Sequence, residues 1–279
     1  MRIKTPLKPH QTEAVDFLKT AIQVHGGGFN CLGMGLGKTL VTFQLFVELA
    51  KPGARFLYVA LPAVFLEVRR QLKQHVACDS AEEFVVVDYY DKSKERRQKQ
   101  LQDLDATHPN AVAIVLASYG TCRNDAQVVL PYRWTAVALD ECHNGLKNPN
   151  AQLTRVFRRL PVNVPRIGMS GTPNANNPTE DLRSLATILC PLTPELHNAE
   201  AYRNSSKPRA LETALIYRTL QDVDLELPPL NVWSKDCKFR DPLEEDAYVQ
   251  QQGKTLKALS NLYRAPEAMR LQAVKYYQG

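Results

Sequence analysis

Short apolar runs alternating with segments of helical period constrain the fold of this chain more than any other feature. "FNCL", "RFLYVAL", "EFVVVDYY", "AVAIVLAS", "WTAVALDE" and "RIGMSGT" follow one another between residues 29 and 172, each four to eight residues long. Between them lie stretches with a helical apolar period: Gln11 to Val24, 38 to 50, "VFLEVRRQLKQHV" and "KSKERRQKQLQDLD". Apolar residues on consecutive positions of a strand mean that both faces are covered, which is the signature of a parallel sheet between helices. The chain is therefore predicted to be α/β, a doubly wound, mostly parallel sheet with helices on both faces, continuous to about residue 190. Beyond it "CPLTPELHNAE" and "SSKPRA" are turn-rich, "TALIYRTLQDVDLELPP" ends in a proline pair, and Leu243 to Tyr263 reads as a helical C-terminal extension.

Composition narrows the setting. Lys and Arg exceed Asp and Glu by 35 to 29 over 279 residues, a net charge of +6, which permits an anionic partner without requiring one. The longest apolar run, "FLYVALPAVFL", is too short and too interrupted by proline to span a bilayer, and "MRIKTPLKPHQ" lacks the apolar centre of a secretory signal. No membrane association is expected. The six cysteines form no C-x-x-C pair and read as reduced thiols in cytoplasm, nucleus or the equivalent setting of a virus within its host. The basic run "DKSKERRQKQ" is read as a solvated helix face. Arg155, Arg158 and Arg159, spaced i, i+3 and i+4 after "KNPN", are better placed to face an anion.

The chemistry starts at "CLGMGLGKTL". Set between a strand and a helix, Gly35, Leu36, Gly37, Lys38, Thr39 and Leu40 form a variant phosphate-binding loop that has Leu32 where the strict pattern begins with glycine. Inward-pointing backbone N–H groups and the helix N-terminus would cradle phosphates, Lys38 would neutralise the β and γ oxygens of ATP, and the Thr39 hydroxyl would ligate Mg²⁺. About a hundred residues later "VALDECH" delivers Asp140 and Glu141 to the end of a buried strand. Asp140 is predicted to hold Mg²⁺ through water and Glu141 to polarise the attacking water. Cys142 and His143 have no second Cys/His pair at ligand spacing, so zinc is not expected there. His143 is instead predicted to couple the site to neighbouring loops.

"LKPHQ", "GMGLGKT", "DECH", "GLKNPNAQLTR", "SGTPNANN" and "YRTLQDVDLELPP", in that order, resemble the motifs of the first ATPase lobe of the Swi/Snf-type helicase-like ATPases of helicase superfamily 2. The resemblance runs from about residue 5 to about residue 265. It implies a RecA-like lobe over 1–230 and an interlobe brace or linker over 231–279, with Trp233 and Tyr248 in the brace. It also implies that Gln11 reads the adenine edge, that Ser170, Gly171 and Thr172 couple nucleotide state to DNA grip, and that Pro62 to Arg70, with Arg69 and Arg70, and Ser118 with Tyr119 touch the DNA backbone. The implied substrate is duplex DNA, tracked without strand separation. The chain departs from the family pattern at Leu32 and Gly33, near Arg69 and at Leu220. No motif bearing the arginines of a facing lobe is found before Gly279, so a second lobe, in cis or in trans, is expected to complete the enzyme, and the chain alone is expected to be weakly active. Two other readings fit the motifs: a superfamily 2 motor working on RNA or in a restriction complex, and a nucleotide-binding module without turnover.

Overall fold

The computed structural model describes residues 1–78, 83–90, 93–172, 178–202 and 208–223. The chain divides into two compact units, Met1–Leu225 and Glu226–Gly279, and all described residues belong to the first. The helix expected over Leu243 to Tyr263 and the brace with Trp233 and Tyr248 lie outside the described residues.

In chain order the elements are β1 (Arg2–Ile3), α1 (Pro9–His25), β2 (Gly27–Leu32), α2 (Lys38–Leu49), β3 (Arg55–Ala60), α3 (Phe65–His75), β4 (Val76–Ala77), β5 (Phe84–Asp88), α4 (Lys94–Thr107) and β6 (Val112–Ser118). There follow α5 (Tyr119–Asn124), α6 (Ala126–Val129), β7 (Ala136–Leu139), α7 (His143–Leu146), α8 (Gln152–Phe157), β8 (Arg166–Met169), α9 (Pro178–Leu189), α10 (Arg209–Ala214) and β9 (Leu215–Arg218). Seven strands form one parallel sheet in the order β5-β6-β3-β7-β8-β2-β9, and β1 pairs antiparallel with β4 beside it.

The alternation of side chains across each strand sorts the core into two layers. Phe29, Leu57, Val59, Val115, Val137 and Leu139 face α4, α8 and α9, meeting Leu101, Phe157 and Leu185. Leu32, Phe56, Tyr58, Ile114, Ala138 and Met169 face α1, α2 and α3, meeting Leu18, Phe43, Phe46 and Val68. The sheet is therefore covered on both sides, as the uninterrupted apolar runs predict. Phe46 stacks on Phe56 with ring centroids 4.4 Å apart, a contact worth about 1 kcal/mol beyond the area it buries.

Three departures from the sequence reading have clear causes. "HGGGF" reads as a helix break followed by a strand at Phe29, yet the strand begins at Gly27. A Cβ on Gly27 would stand 2.2 Å from the Arg166 carbonyl oxygen and 2.3 Å from that of Leu189, so glycine here permits close packing of strand on strand and helix. The sheet also extends past residue 190, because "LIYR" adds β9 beside β2, in register from Phe29↔Leu215 to Leu32↔Arg218. Finally, α8 is short, ending at Phe157 with Arg158 as its helical cap, so the stripe from Arg155 reaches Arg158 and Arg159 lies beyond it. Among the described residues no helix is long and apolar enough to cross a membrane.

Candidate active site

β7, β8 and β2 are neighbours in the sheet, and the segments leaving their C-terminal ends are "DECH", "SGT" and the Gly-Lys-Thr loop. Parallel strands run their carboxyl ends to one edge, so motifs far apart in sequence converge there. Ladder bonds continue into the site: Asp140 N–H donates to Val59 O (2.8 Å), Ser170 N–H to Asn30 O (3.2 Å) and Gly33 N–H to Arg218 O (2.7 Å).

The loop is held from beneath. Gly37, the residue before α2, has φ +90°, and a Cβ there would lie 2.3 Å from the Gln11 amide nitrogen. Gln11, buried in the first turn of α1, donates to the Leu36 carbonyl (3.0 Å) and accepts from Lys8 N–H (2.9 Å). His10 Nε2 contacts the same Leu36 oxygen at 3.1 Å. Gln11 thus tethers the loop through one amide donor, caps the start of α1 through its oxygen, and retains one donor and one acceptor. At the tip Gly35, at φ +78°, has no atom within 4 Å of where a Cβ would stand, and Met34 is 83% exposed. Lys38 Nζ donates to Leu32 O (3.0 Å), and Asn30 Nδ2 donates to the Lys38 carbonyl (3.1 Å), while the buried Asn30 Oδ1 has no partner among the described residues.

On the β7 side, Asp140 accepts from Tyr58 Oη on Oδ2 (3.1 Å) and from Glu141 N–H on Oδ1 (3.0 Å). Burial pushes its carboxyl up, with the Glu141 charge acting in the same direction and Tyr58 and Lys38 against it. Glu141 has φ +45°, the one non-glycine with positive φ among the described residues, a strain of about 1–3 kcal/mol that aims its half-exposed carboxylate off the sheet edge. His143 Nδ1 lies 2.8 Å from Ser170 Oγ and 3.3 Å from Glu141 Oε2, and Ser170 Oγ accepts from Thr172 N–H (3.0 Å). Burial holds the imidazole below its ordinary pKa, so at neutral pH it is a neutral link between the two motifs. A Cβ on Gly171 would stand 3.7 Å from Lys38 Nζ, which places "SGT" against the loop lysine. Cys142 is fully buried and its thiol is pushed well up by burial, the opposite of a thiolate ready for metal.

The oxygen donors fit a hard divalent cation with a nucleotide: a hydroxyl at Thr39, a carboxylate at Asp140, a lysine and an uncovered glycine loop. Leu40 is buried and anchors the first turn of α2. The expected DNA contacts are more scattered. Arg69 forms a two-pronged pair with Asp88 and Arg70 one with Glu67 (2.7 Å on each prong). Arg158 donates to Thr187 Oγ1 (2.8 Å) and Pro149 O, while Arg155 is exposed. Ser118 caps α5 through Thr121 N–H (3.0 Å). Tyr119 is buried, its hydroxyl donating to the Asp140 carbonyl (2.8 Å), so its side chain supports the carboxylate pair and only its turn faces outward. Sequence reasoning missed Tyr58 and Asn30. The signal for Tyr58 is a phenol inside a strand buried on both faces, where its hydroxyl must find a partner.

Comparison with known proteins follows the same lines. The model of the SNF2-related domain matches residues 10–270. TATA-binding protein-associated factor mot1 of Aspergillus fumigatus is 36% identical over 203 residues, 68% of this chain and 10% of that protein. Helicase swr1 of the same organism is 31% identical over 192 residues, 68% of this chain and 11% of its own length. Mouse chromodomain-helicase-DNA-binding protein 1-like is 27% identical over 243 residues, 80% of this chain and 25% of its own length. The chain thus spans about a tenth of the length of the first two of these relatives. In fold it matches the Sulfolobus solfataricus SWI2/SNF2 ATPase core in complex with dsDNA, with a TM-score of 0.55, 22% identity and coverage of 78% of this chain and 45% of that one. The chain belongs to the SNF2-related domain family, the Swi/Snf-type helicase-like ATPases whose first-lobe motifs it carries.

Proposed function

We propose that this chain is the first ATPase lobe of a motor that couples ATP hydrolysis to movement on duplex DNA. The observation that carries the proposal is the convergence of Lys38, the Asp140–Glu141 pair and the Ser170–Thr172 turn on the ends of three adjacent strands. The loop N–H groups and Lys38 bind and orient the phosphates. Thr39, and Asp140 through water, would hold Mg²⁺, which would supply charge neutralisation to the bound phosphates. Glu141 orients the attacking water and takes its proton. Nucleotide state is passed to Ser170 through His143, which touches both sides of the site.

A pocket of about 380 Å³ lined by Lys8, Pro9, His10, Glu13, Arg218 and Asp222 adjoins the loop at His10 and β9 and is assigned to the base and ribose. For DNA, the turn at Ser118 and the exposed Arg155 are assigned phosphate contacts. Arg69 and Arg70 join them only by exchanging their carboxylate partners. In this reading Lys38 neutralises the developing charge on the γ-phosphate from one side, and the exposed loop tip at Met34 and Gly35 leaves the other side to a facing lobe. An arginine from a facing lobe is worth on the order of a thousandfold in rate. Measured as phosphate release, residues 1–279 alone should therefore hydrolyse ATP very slowly, and a motor containing the facing lobe should respond to duplex DNA more than to RNA. Stronger stimulation by RNA would move the assignment to an RNA motor, and brisk DNA-stimulated turnover by the chain alone would remove the need for a second lobe.

A further inference from the structure

We infer that Tyr58 is a positioning residue for the divalent cation, its hydroxyl holding the Asp140 carboxylate in the orientation that receives Mg²⁺ or its water. The inference rests on the assignment of Asp140 to the cation under the proposed function.

Tyr58 lies in β3, fully buried, paired with Ala138 of β7, its ring packed at a tilt on Phe43 with centroids 6.2 Å apart. Its ring is therefore fixed by the core, and the hydroxyl emerges where β3 and β7 approach the site. Tyr58 Oη donates to Asp140 Oδ2 at 3.1 Å. Asp140 Oδ1 is occupied by Glu141 N–H at 3.0 Å. Each carboxylate oxygen thus has one fixed donor, which sets the plane of a group whose terminal torsion is otherwise broad, and each keeps a lone pair for a cation or its water.

Asp140 follows β7, and the hydroxyl that fixes its outer oxygen comes from the neighbouring strand β3. Packing alone would be met by phenylalanine, whereas a buried phenol without a partner is unfavourable, so what the hydroxyl contributes is its hold on Asp140.

The test is fluorescence binding of N-methylanthraniloyl-ADP to residues 1–279, titrated with MgCl₂ and repeated in EDTA. Wild type should bind more tightly with Mg²⁺, and Asp140→Asn should lose that gain. Tyr58→Phe should raise the half-saturating Mg²⁺ by roughly threefold to tenfold while leaving affinity in EDTA unchanged, the size expected for the net contribution of one hydrogen bond. In the Asp140→Asn background Tyr58→Phe should have no further effect on Mg²⁺. An unchanged or lowered half-saturating Mg²⁺ in Tyr58→Phe, or an equal loss with and without the cation, would overturn the inference while leaving the ligand assignment intact. If Asp140→Asn kept the gain, the ligand assignment itself would fail and the role of Tyr58 with it. Because the phenylalanine variant can lose stability, the wild-type chain gives a second readout. With ¹³C-labelled tyrosine, the Tyr58 Cζ resonance should move when Mg²⁺ is added to the nucleotide complex, and a resonance that stays in place contradicts the positioning role.

Discussion

Glu141 is the residue where local cost and chemical use meet most visibly. Its φ of +45° is unfavourable for a branched-off side chain, and the reward is a carboxylate that leaves the sheet edge beside His143. Replacing the carboxylate by an amide keeps this backbone and the contacts to Asp140, but the amide cannot take a proton from water. Glu141→Gln in a motor containing the facing lobe should therefore bind ATP as well as wild type while single-turnover hydrolysis falls by about a hundredfold or more. Normal turnover by that variant would return Glu141 to a structural role. Gln11 is proposed from its motif position to read the base, and its amide also pins Leu36 of the loop. Nothing in "LKPHQ" by itself reveals that tether, because the partner lies 25 residues away.

At the level of elements, the opposite edge of the sheet is built from two buried arginines. Arg55 opens β3 and donates to the carbonyls of Leu104, His108 and Ala111 around the C-terminal end of α4, with Asp105 Oδ1 at 3.2 Å. Arg166 opens β8 and donates to Ile188 O (2.6 Å), Leu160 O and Pro161 O, where burial lowers its pKa to about 10. Both cations satisfy carbonyls left over at helix ends. Arg55→Met should lower stability by about 2–4 kcal/mol in urea denaturation, because several buried carbonyls lose their donor. It should leave nucleotide affinity nearly unchanged, since the site lies at the other end of the strands. The long uninterrupted runs made β3 and β6 readable from sequence, the short run "FNCL" marked the strand before the glycine loop, and that loop with "VALDE" marked the sheet edge proposed as the ATP site. β9 was not, because a strand of four residues with only Ile216 buried carries no local period and exists through its pairing with β2. The arginine caps were not readable either: an Arg at a strand start looks like surface charge until the helix end above it is known.

For the molecule as a whole, acid sensitivity follows from histidines held neutral. His25 between Thr193 and Thr213, His75 beside Thr5 and His143 beside Ser170 all have their pKa lowered, chiefly by burial. Below their ordinary value of 6.5 the unfolded chain takes up protons that the folded state refuses, so their contribution is present above that pH and lost as pH falls. Asp140, pushed up by burial, acts in the opposite sense because the folded state accepts its proton more readily. The thermal midpoint should fall between about pH 7.5 and about pH 5.5, and a midpoint that rose over this range would show that other groups govern. The central claim, that the ends of β2, β7 and β8 form one ATP site, is tested most directly by equilibrium binding of ATP with Mg²⁺ to residues 1–279. Wild type should bind, and Lys38→Ala should lose affinity by about a hundredfold with its circular dichroism little changed, because the half-buried ammonium at the start of α2, whose protein partner is the Leu32 carbonyl, is removed while no apolar core contact is. Binding by Lys38→Ala equal to that of wild type would contradict the assignment of this sheet edge as the nucleotide site.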